Sequence, residues 1–243
     1  MTRTVVVIQA RTGSTRLPGK VLLPLLGRPV LAHVVSRARG IAGVDEVVVA
    51  TTTAPGDDAI ETLCRAEGWP VERGSEQDLL DRYVQAARAH HADTVIRVTS
   101  DCPLLDPVVA SGVLAAFRAA DVDYASDSLP PLVWPRGLDV EVVAMPALEW
   151  AWREDGDPAW REHATPFIYR HPELFRLLRV PGDRDLSEHR WCVDTAEDYE
   201  LVRRIYETVG QPDFGWQVAL AAVEANPDWG TLNRNVAQKT VPG

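Results

Sequence analysis

Two kinds of hydrophobic pattern alternate along the first half of the chain. Short β-branched runs, "TVVVIQA" at residues 4–10, "DEVVVAT" at 45–51 and "DTVIRVTSD" at 93–101, carry apolar residues with little polar alternation. Such runs predict parallel strands buried on both faces. Between them lie amphipathic stretches, "RPVLAHVVSRARG" (28–40), "DDAIETLCRAEG" (57–68) and "SEQDLLDRYVQAARAHH" (75–91), with a short strand-like "WPVERG" before the last. Asp57 and Asp58 open one predicted helix at its positive end, and Gly40 and Gly68 close others. Strands alternating with helices of this length predict βαβ units, an α/β class and a mostly parallel sheet. In open sheets of that kind ligands sit outside the carboxyl ends of the strands. Attention therefore falls on the loops at residues 11–20, 51–58, 73–78 and 100–106.

From about Tyr124 the rhythm changes. "SDSLPPLVWPRGLDVEVV" is proline-rich and then strand-like, and "ALEWAWREDGDPAWREHATPFIYRHPELFRLLRV" is aromatic and charged. Residues 1–243 read as a single domain carrying a subdomain inserted at roughly 126–180, able to form an acceptor-binding wall or a homodimer surface. The strand, acidic turn and helix of "RWCVDTAEDYELVRRIYETVG" restore the parent rhythm. A last helical stretch near 217–225 leads to a polar tail expected to be mobile.

At 243 residues the chain can bury a self-sufficient core, and its formal net charge of −10 argues against an extended nucleic-acid surface. No run of 18 apolar residues suggests a membrane span, and the N-terminus is strand-like, not signal-like. Cys64, Cys102 and Cys192 are far apart and match no zinc spacing, which fits a reduced, cytoplasmic setting. Cations clustered in an acidic chain point to a small anionic ligand.

The cluster is "QARTGSTRLPGK", residues 9–20. It fails as a P-loop: five residues separate Gly13 from Gly19 where the motif has four, Pro18 removes a backbone donor, and Val21 stands where a hydroxyl should be. Arg11, Arg16 and Lys20 must then supply charge from side chains. Two carboxylates, Asp101 in "VTSDCP" and Asp194 in "CVDTAED", end apolar strands on the same predicted edge. Carboxylates beside a phosphate loop suit magnesium, although a helix cap at Asp194 and a simple strand terminator at Asp101 explain them as well. Asp106 before Pro107 reads as a helix cap. Asp121 and Asp123 form a D-x-D, a spacing glycosyltransferases use for metal. His90 and His91 suit a helix C-terminus, Cys102 and Cys192 read as packing, and most of the tryptophans read as core or interface.

Beyond single motifs, "VVVIQARTGSTRLPGKVLLPLLGRPVLAHV", "ATTTAPGDDAI", "VERGSEQDLLDRY", "VIRVTSDCPLLDP", "GLDVEVV", "REHATPFIYRHPELF" and "CVDTAEDYELV" follow one another along nearly the whole chain. In this order they resemble the SpsF-like spore-coat polysaccharide cytidylyltransferases, relatives of the CMP-KDO and CMP-sialate synthetases. The resemblance implies a three-layer nucleotidyltransferase fold, GT-A-like and Rossmann-like, and attack of an acceptor oxygen on the α-phosphorus of CTP with expulsion of pyrophosphate. It implies triphosphate contacts from Arg11 and Lys20, helped by Ala10, Gly13, Ser14, Arg16 and Ser100. It also implies Mg2+ on Asp101 and Asp194, and a base and ribose pocket from Thr51, Thr52, Arg73, Gly74, Ser75 and Asp78. Arg136, Asp139, Glu141, Arg161 and His163 are the expected grip on a small anionic acceptor. Where the KDO enzymes carry an acidic residue after the first aspartate, this chain has Cys102. A nucleotidyltransferase using another base on a sugar 1-phosphate, a GT-A glycosyltransferase using Asp121 and Asp123, and a catalytically idle scaffold stay open on sequence alone.

Overall fold

Strand β1 (Thr4–Gln9) lies at the centre of the sheet, pairing in parallel with β4 (Glu46–Thr52) on one side and β6 (Thr94–Thr99) on the other. The computed structural model describes residues 2–238. A seven-stranded sheet runs in the order β5 (Val71–Gly74), β4, β1, β6, β8 (Glu141–Ala144), β7 (Tyr124–Ser126), β9 (Leu177–Arg179). It is mostly parallel, as expected, with β8 antiparallel to both its neighbours. A small hairpin, β2 (Pro24–Leu25) and β3 (Arg28–Pro29), stands apart from it.

The period-2 geometry of a strand sends successive side chains to opposite faces, and this builds the layers. Val6, Ile8, Val47 and Val49 face α1 (Val30–Arg39), α2 (Asp58–Ala66) and α4 (Pro107–Ala119). Val5, Val7 and Val48 face α3 (Leu79–Ala89), α5 (Met145–Glu154) and α7 (Pro166–Tyr169), with α6 (Pro158–Arg161) linking the last two. The segment 126–180 supplies β8 and β9 to this same sheet, and within it Trp150 and Leu174 remain 40% and 42% exposed. Among the described residues no helix is long and apolar enough to cross a membrane.

A third core joins α8 (Ala196–Val209) and α9 (Trp216–Glu224) to the body through Leu25, Val30, Leu138 and Trp191. Buried Arg37 of α1 staples it, donating to the carbonyls of Leu105 (3.2 Å), Pro212 (3.0 Å) and Phe214 (2.9 Å). Asp106 caps α4 through the amides of Val108 and Val109, as its place before Pro107 predicts, and accepts the Trp216 amide at 2.8 Å. These contacts fix where the C-terminal quarter returns to the sheet.

The return path matters most at one point. Backbone bonds run from Arg136 N to His189 O (3.1 Å), from Trp191 N to Arg136 O (2.7 Å) and from Val193 N to Asp101 O (2.7 Å). Residue 194 is thereby set beside residue 101. Gly137 makes the approach possible: its φ is +105°, and a Cβ there would lie 2.7 Å from the Cys192 nitrogen. Gly27 also has positive φ (+75°), but nothing lies within 4 Å of its Cβ position. Gly137→Ala is therefore expected to cost roughly 2–4 kcal/mol of stability and Gly27→Ala about 1 kcal/mol, read from urea unfolding midpoints. Equal losses would show that this close approach does not constrain the chain.

Candidate active site

The loop after β1 is shaped by Asp57, whose Oδ1 accepts the amide and hydroxyl of Thr12, each at 2.7 Å, while its Oδ2 accepts the Thr52 hydroxyl. Thr12 O in turn accepts the amides of Ser14 (2.8 Å) and Gly19 (2.9 Å), folding residues 12–19 back on themselves. Gly19 takes the left-handed conformation, φ +69°, and Lys20 follows it inward until only 9% of it is exposed. Its Nζ lies between Asp101 Oδ2 at 2.5 Å and Asp194 Oδ1 at 2.7 Å. The loop, the end of β6 and the start of α8 thus meet at one ammonium group.

The local sequence around Asp194 explains why it faces the cleft. Helix α8 is capped by Thr195, whose hydroxyl accepts the Asp198 amide in a capping box, so the cap reading of Asp194 does not hold. Asp198 is wholly buried and pairs with Arg190 Nε at 2.9 Å. Arg190 reaches Asp194 Oδ2 at 2.7 Å, and Arg16 reaches the same oxygen at 3.0 Å. Against the cost of burial, Lys20, Arg16 and Arg190 hold the Asp194 carboxyl below the usual carboxylate range. Burial opposes the Lys20 charge, but Asp101 and Asp194 outweigh it and push its pKa up, so the ammonium is protonated throughout the physiological range.

Two carboxylate oxygens converging on one positive centre form an all-oxygen donor set that fits a hard divalent ion. A second group, Cys192, Asp194 and Asp198, also brings its ligand atoms within 4.8 Å of one another. It is unsuited to an ion, because Asp198 is saturated by Arg190, Asn233 and the amides of Asp194 and Thr195. Burial also pushes the Cys192 thiol well up, keeping it protonated.

A cleft of about 1010 Å³ opens from this point. Ala10, Arg11, Gly13, Ser14, Arg16, Lys20, Ser100, Asp101 and Asp194 line it together. Arg136, Asp139, Glu141 and His163 line it as well. Arg161 is elsewhere, holding Asp78 at 2.8 Å and the carbonyls of Trp152 and Asp155 at 2.9 Å. Thr51, Thr52, Arg73, Gly74, Ser75 and Asp78 also lie outside the lining. Both threonines are fully buried; Arg73 braces Thr52 O, Ala54 O and Glu61; Ser75 and Asp78 cap the start of α3. Ser75 O accepts from Arg82 at 2.5 Å, which ties this turn to a residue of the lining. Asp121 and Asp123 both pair with Arg176 and tie β7 to its neighbour, away from the cleft.

Several lining residues carry no motif. Arg82 sits on the apolar side of α3 with Leu79 and Tyr83, is 4% exposed, and its Nε has no partner among the described residues. Arg97 interrupts an apolar strand and pairs at 2.5 Å with Glu141, the residue opposite it in β8. A charge at an apolar position is the signal that would have found both. The tail, expected to be mobile, instead packs back: Ala237 O accepts from Arg16 at 3.2 Å and Gln238 Oε1 from Arg190 at 2.5 Å. Two unusually placed arginines supply the reason, and residues 239–243 of that tail lie outside the described residues.

A family model described as cytidylyltransferase matches residues 5–217. The spore coat polysaccharide biosynthesis protein SpsF of Bacillus subtilis is 36% identical over 233 residues, covering 93% of this chain and 95% of that protein. A cytidylyltransferase structure from Leptospira borgpetersenii superposes with a TM-score of 0.90 at 30% identity, covering 99% of this chain and 100% of that one. A structure of CMP:2-keto-3-deoxy-manno-octonic acid synthetase complexed with CTP shares the fold, with a TM-score of 0.67 at 23% identity over 86% of this chain and 100% of that one. The sheet edge and its charged loop therefore belong to a CTP-dependent nucleotidyltransferase, and the chain is a member of the cytidylyltransferase family.

Proposed function

We propose that the chain transfers CMP from CTP to a small acidic acceptor, a sugar acid, phosphate or phosphonate, and releases pyrophosphate. The convergence of Asp101, Asp194, Lys20 and Arg16 where the 11–20 loop opens into the cleft carries this reading. Arg11, Arg16 and Lys20 reach the triphosphate, and Arg82, partly unpaired at the cleft wall, adds a further cation for it. Asp101 and Asp194 would hold Mg2+, which when bound supplies charge neutralisation for the phosphoryl oxygens and the leaving pyrophosphate. Positioning by the chain's own cations does the rest, with an ionised acceptor oxygen in line with the α-phosphorus.

The remaining lining suits an acidic, hydroxylated acceptor. Arg136 and Arg170 offer positive charge, Glu141 and Asp139 offer acceptors for hydroxyls, and His163 is held neutral because burial lowers its pKa. The part SpsF plays in spore coat polysaccharide biosynthesis supports a sugar-activating step.

Three outcomes test this. CTP with Mg2+ and a panel of acidic sugars, sugar phosphates and phosphonates should release pyrophosphate only when an acidic acceptor is present; release driven by neutral sugars alone would sink the acceptor assignment. Asp101→Asn and Asp194→Asn should each lower kcat by about 100-fold or more while retaining cooperative melting. Near-normal turnover at saturating Mg2+ would remove that aspartate from the site. Arg136→Ala should raise the acceptor KM about tenfold and leave the CTP KM within about twofold, since its backbone bridge to Arg190 persists. An equal effect on both substrates would place Arg136 outside the acceptor wall.

A further inference from the structure

Lys20 holds the place between Asp101 and Asp194 that the proposed metal would take, and from this we infer that the site loads the divalent ion and the triphosphate as a coupled pair, with Lys20 opposing the ion alone and the two carboxylates opposing the triphosphate alone. The inference rests on Asp101 and Asp194 being the metal ligands. Lys20 is no loose surface partner: it is 9% exposed and touches one oxygen of each carboxylate, at 2.5 and 2.7 Å. The other oxygen of Asp194 is already claimed by Arg190 at 2.7 Å and Arg16 at 3.0 Å. The oxygen facing Lys20 is therefore the one left for an ion.

Local charge explains the coupling. Arg190 is balanced by buried Asp198, while Lys20 and Arg16 balance Asp101 and Asp194. Before any ligand arrives the cluster is close to neutral. A divalent ion entering alone would share two carboxylates with Lys20 and sit beside two guanidinium groups, a costly crowd of positive charge where solvent is partly excluded. A triphosphate entering alone would draw Lys20 away and leave both carboxylates facing its own negative charge. When both arrive, Lys20 and Arg16 turn to the phosphates and the vacated oxygens turn to the ion. A lysine suits this exchange, because its point charge rides on a flexible four-carbon stem. Linkage then requires each ligand to raise the affinity of the other by the same factor.

The test uses Mn2+ as the probe, with free ion read by electron paramagnetic resonance, and α,β-methylene-CTP as a nucleotide that does not turn over. Wild-type protein should bind Mn2+ alone weakly, and the analogue should tighten that binding by about tenfold or more. Lys20→Met should bind Mn2+ alone about tenfold more tightly than wild type and lose most of the coupling. Lys20→Gln, which keeps a donor to one aspartate, guards against a folding defect and should shift the same way. Adding Asp194→Asn to Lys20→Met should return Mn2+ binding to the weak level. Substitutions of Lys20 that leave Mn2+ binding unchanged, or wild-type binding that is indifferent to the analogue, would overturn the coupling. Tightening that survives Asp194→Asn would place the ion elsewhere and overturn the metal assignment itself.

Discussion

One ammonium group shared by two carboxylates organises this molecule's functional edge. Lys20 joins Asp101 and Asp194, residues 81 and 174 positions away in the chain, and so ties the loop after β1 to the end of β6 and to the start of α8. Ion pairs removed from water cost desolvation, and they persist when hydrogen bonds satisfy the remaining oxygens and when function retains them. The first condition is visible: Asp194 Oδ2 is held by two arginines, and Asp198 behind it is saturated by side-chain and backbone donors. The staple of Arg37 and the tight passage at Gly137 serve the same end, since both fix the path by which the C-terminal quarter reaches the sheet.

The chemistry of the cleft follows from what its side chains can and cannot do. Cys102 and Cys192 adjoin the two aspartates and line the cleft, yet burial pushes both thiols well above their ordinary pKa. Neither offers a thiolate at neutral pH. Lys20 is locked in its charged form by the aspartates and cannot attack as a free amine. The cations and carboxylates gathered around the cleft suit transfer by positioning and charge neutralisation. The proposed reaction accordingly runs directly from CTP to the acceptor.

Much of this was legible in the residues. Unalternating β-branched runs gave the parallel strands because burial on both faces leaves no polar position, and the charged loop after the first strand lies where an open parallel sheet places ligands. Other parts depend on distant pairings that no local pattern encodes. Asp57 looks like an ordinary helix opener, yet its carboxylate shapes the Thr12 loop. Thr195, with Asp198 three residues on, is a visible capping box, and reading it frees Asp194 from the cap role. The Arg97–Glu141 pair needs the antiparallel register of β8. Within residues 73–78, expected around the nucleotide by resemblance, Ser75 and Asp78 bond to Arg82, Arg161 and the start of α3, while Glu76 between them lines the cleft, a split that depends on these distant pairings.

The most direct test of the central claim, transfer of CMP across this charged edge with no protein nucleophile between, is the stereochemical course at the α-phosphorus. With CTP made chiral by an α-thio substitution, direct transfer to the acceptor predicts a product of inverted configuration. Retention, the mark of two successive displacements through an enzyme-bound intermediate, would contradict it.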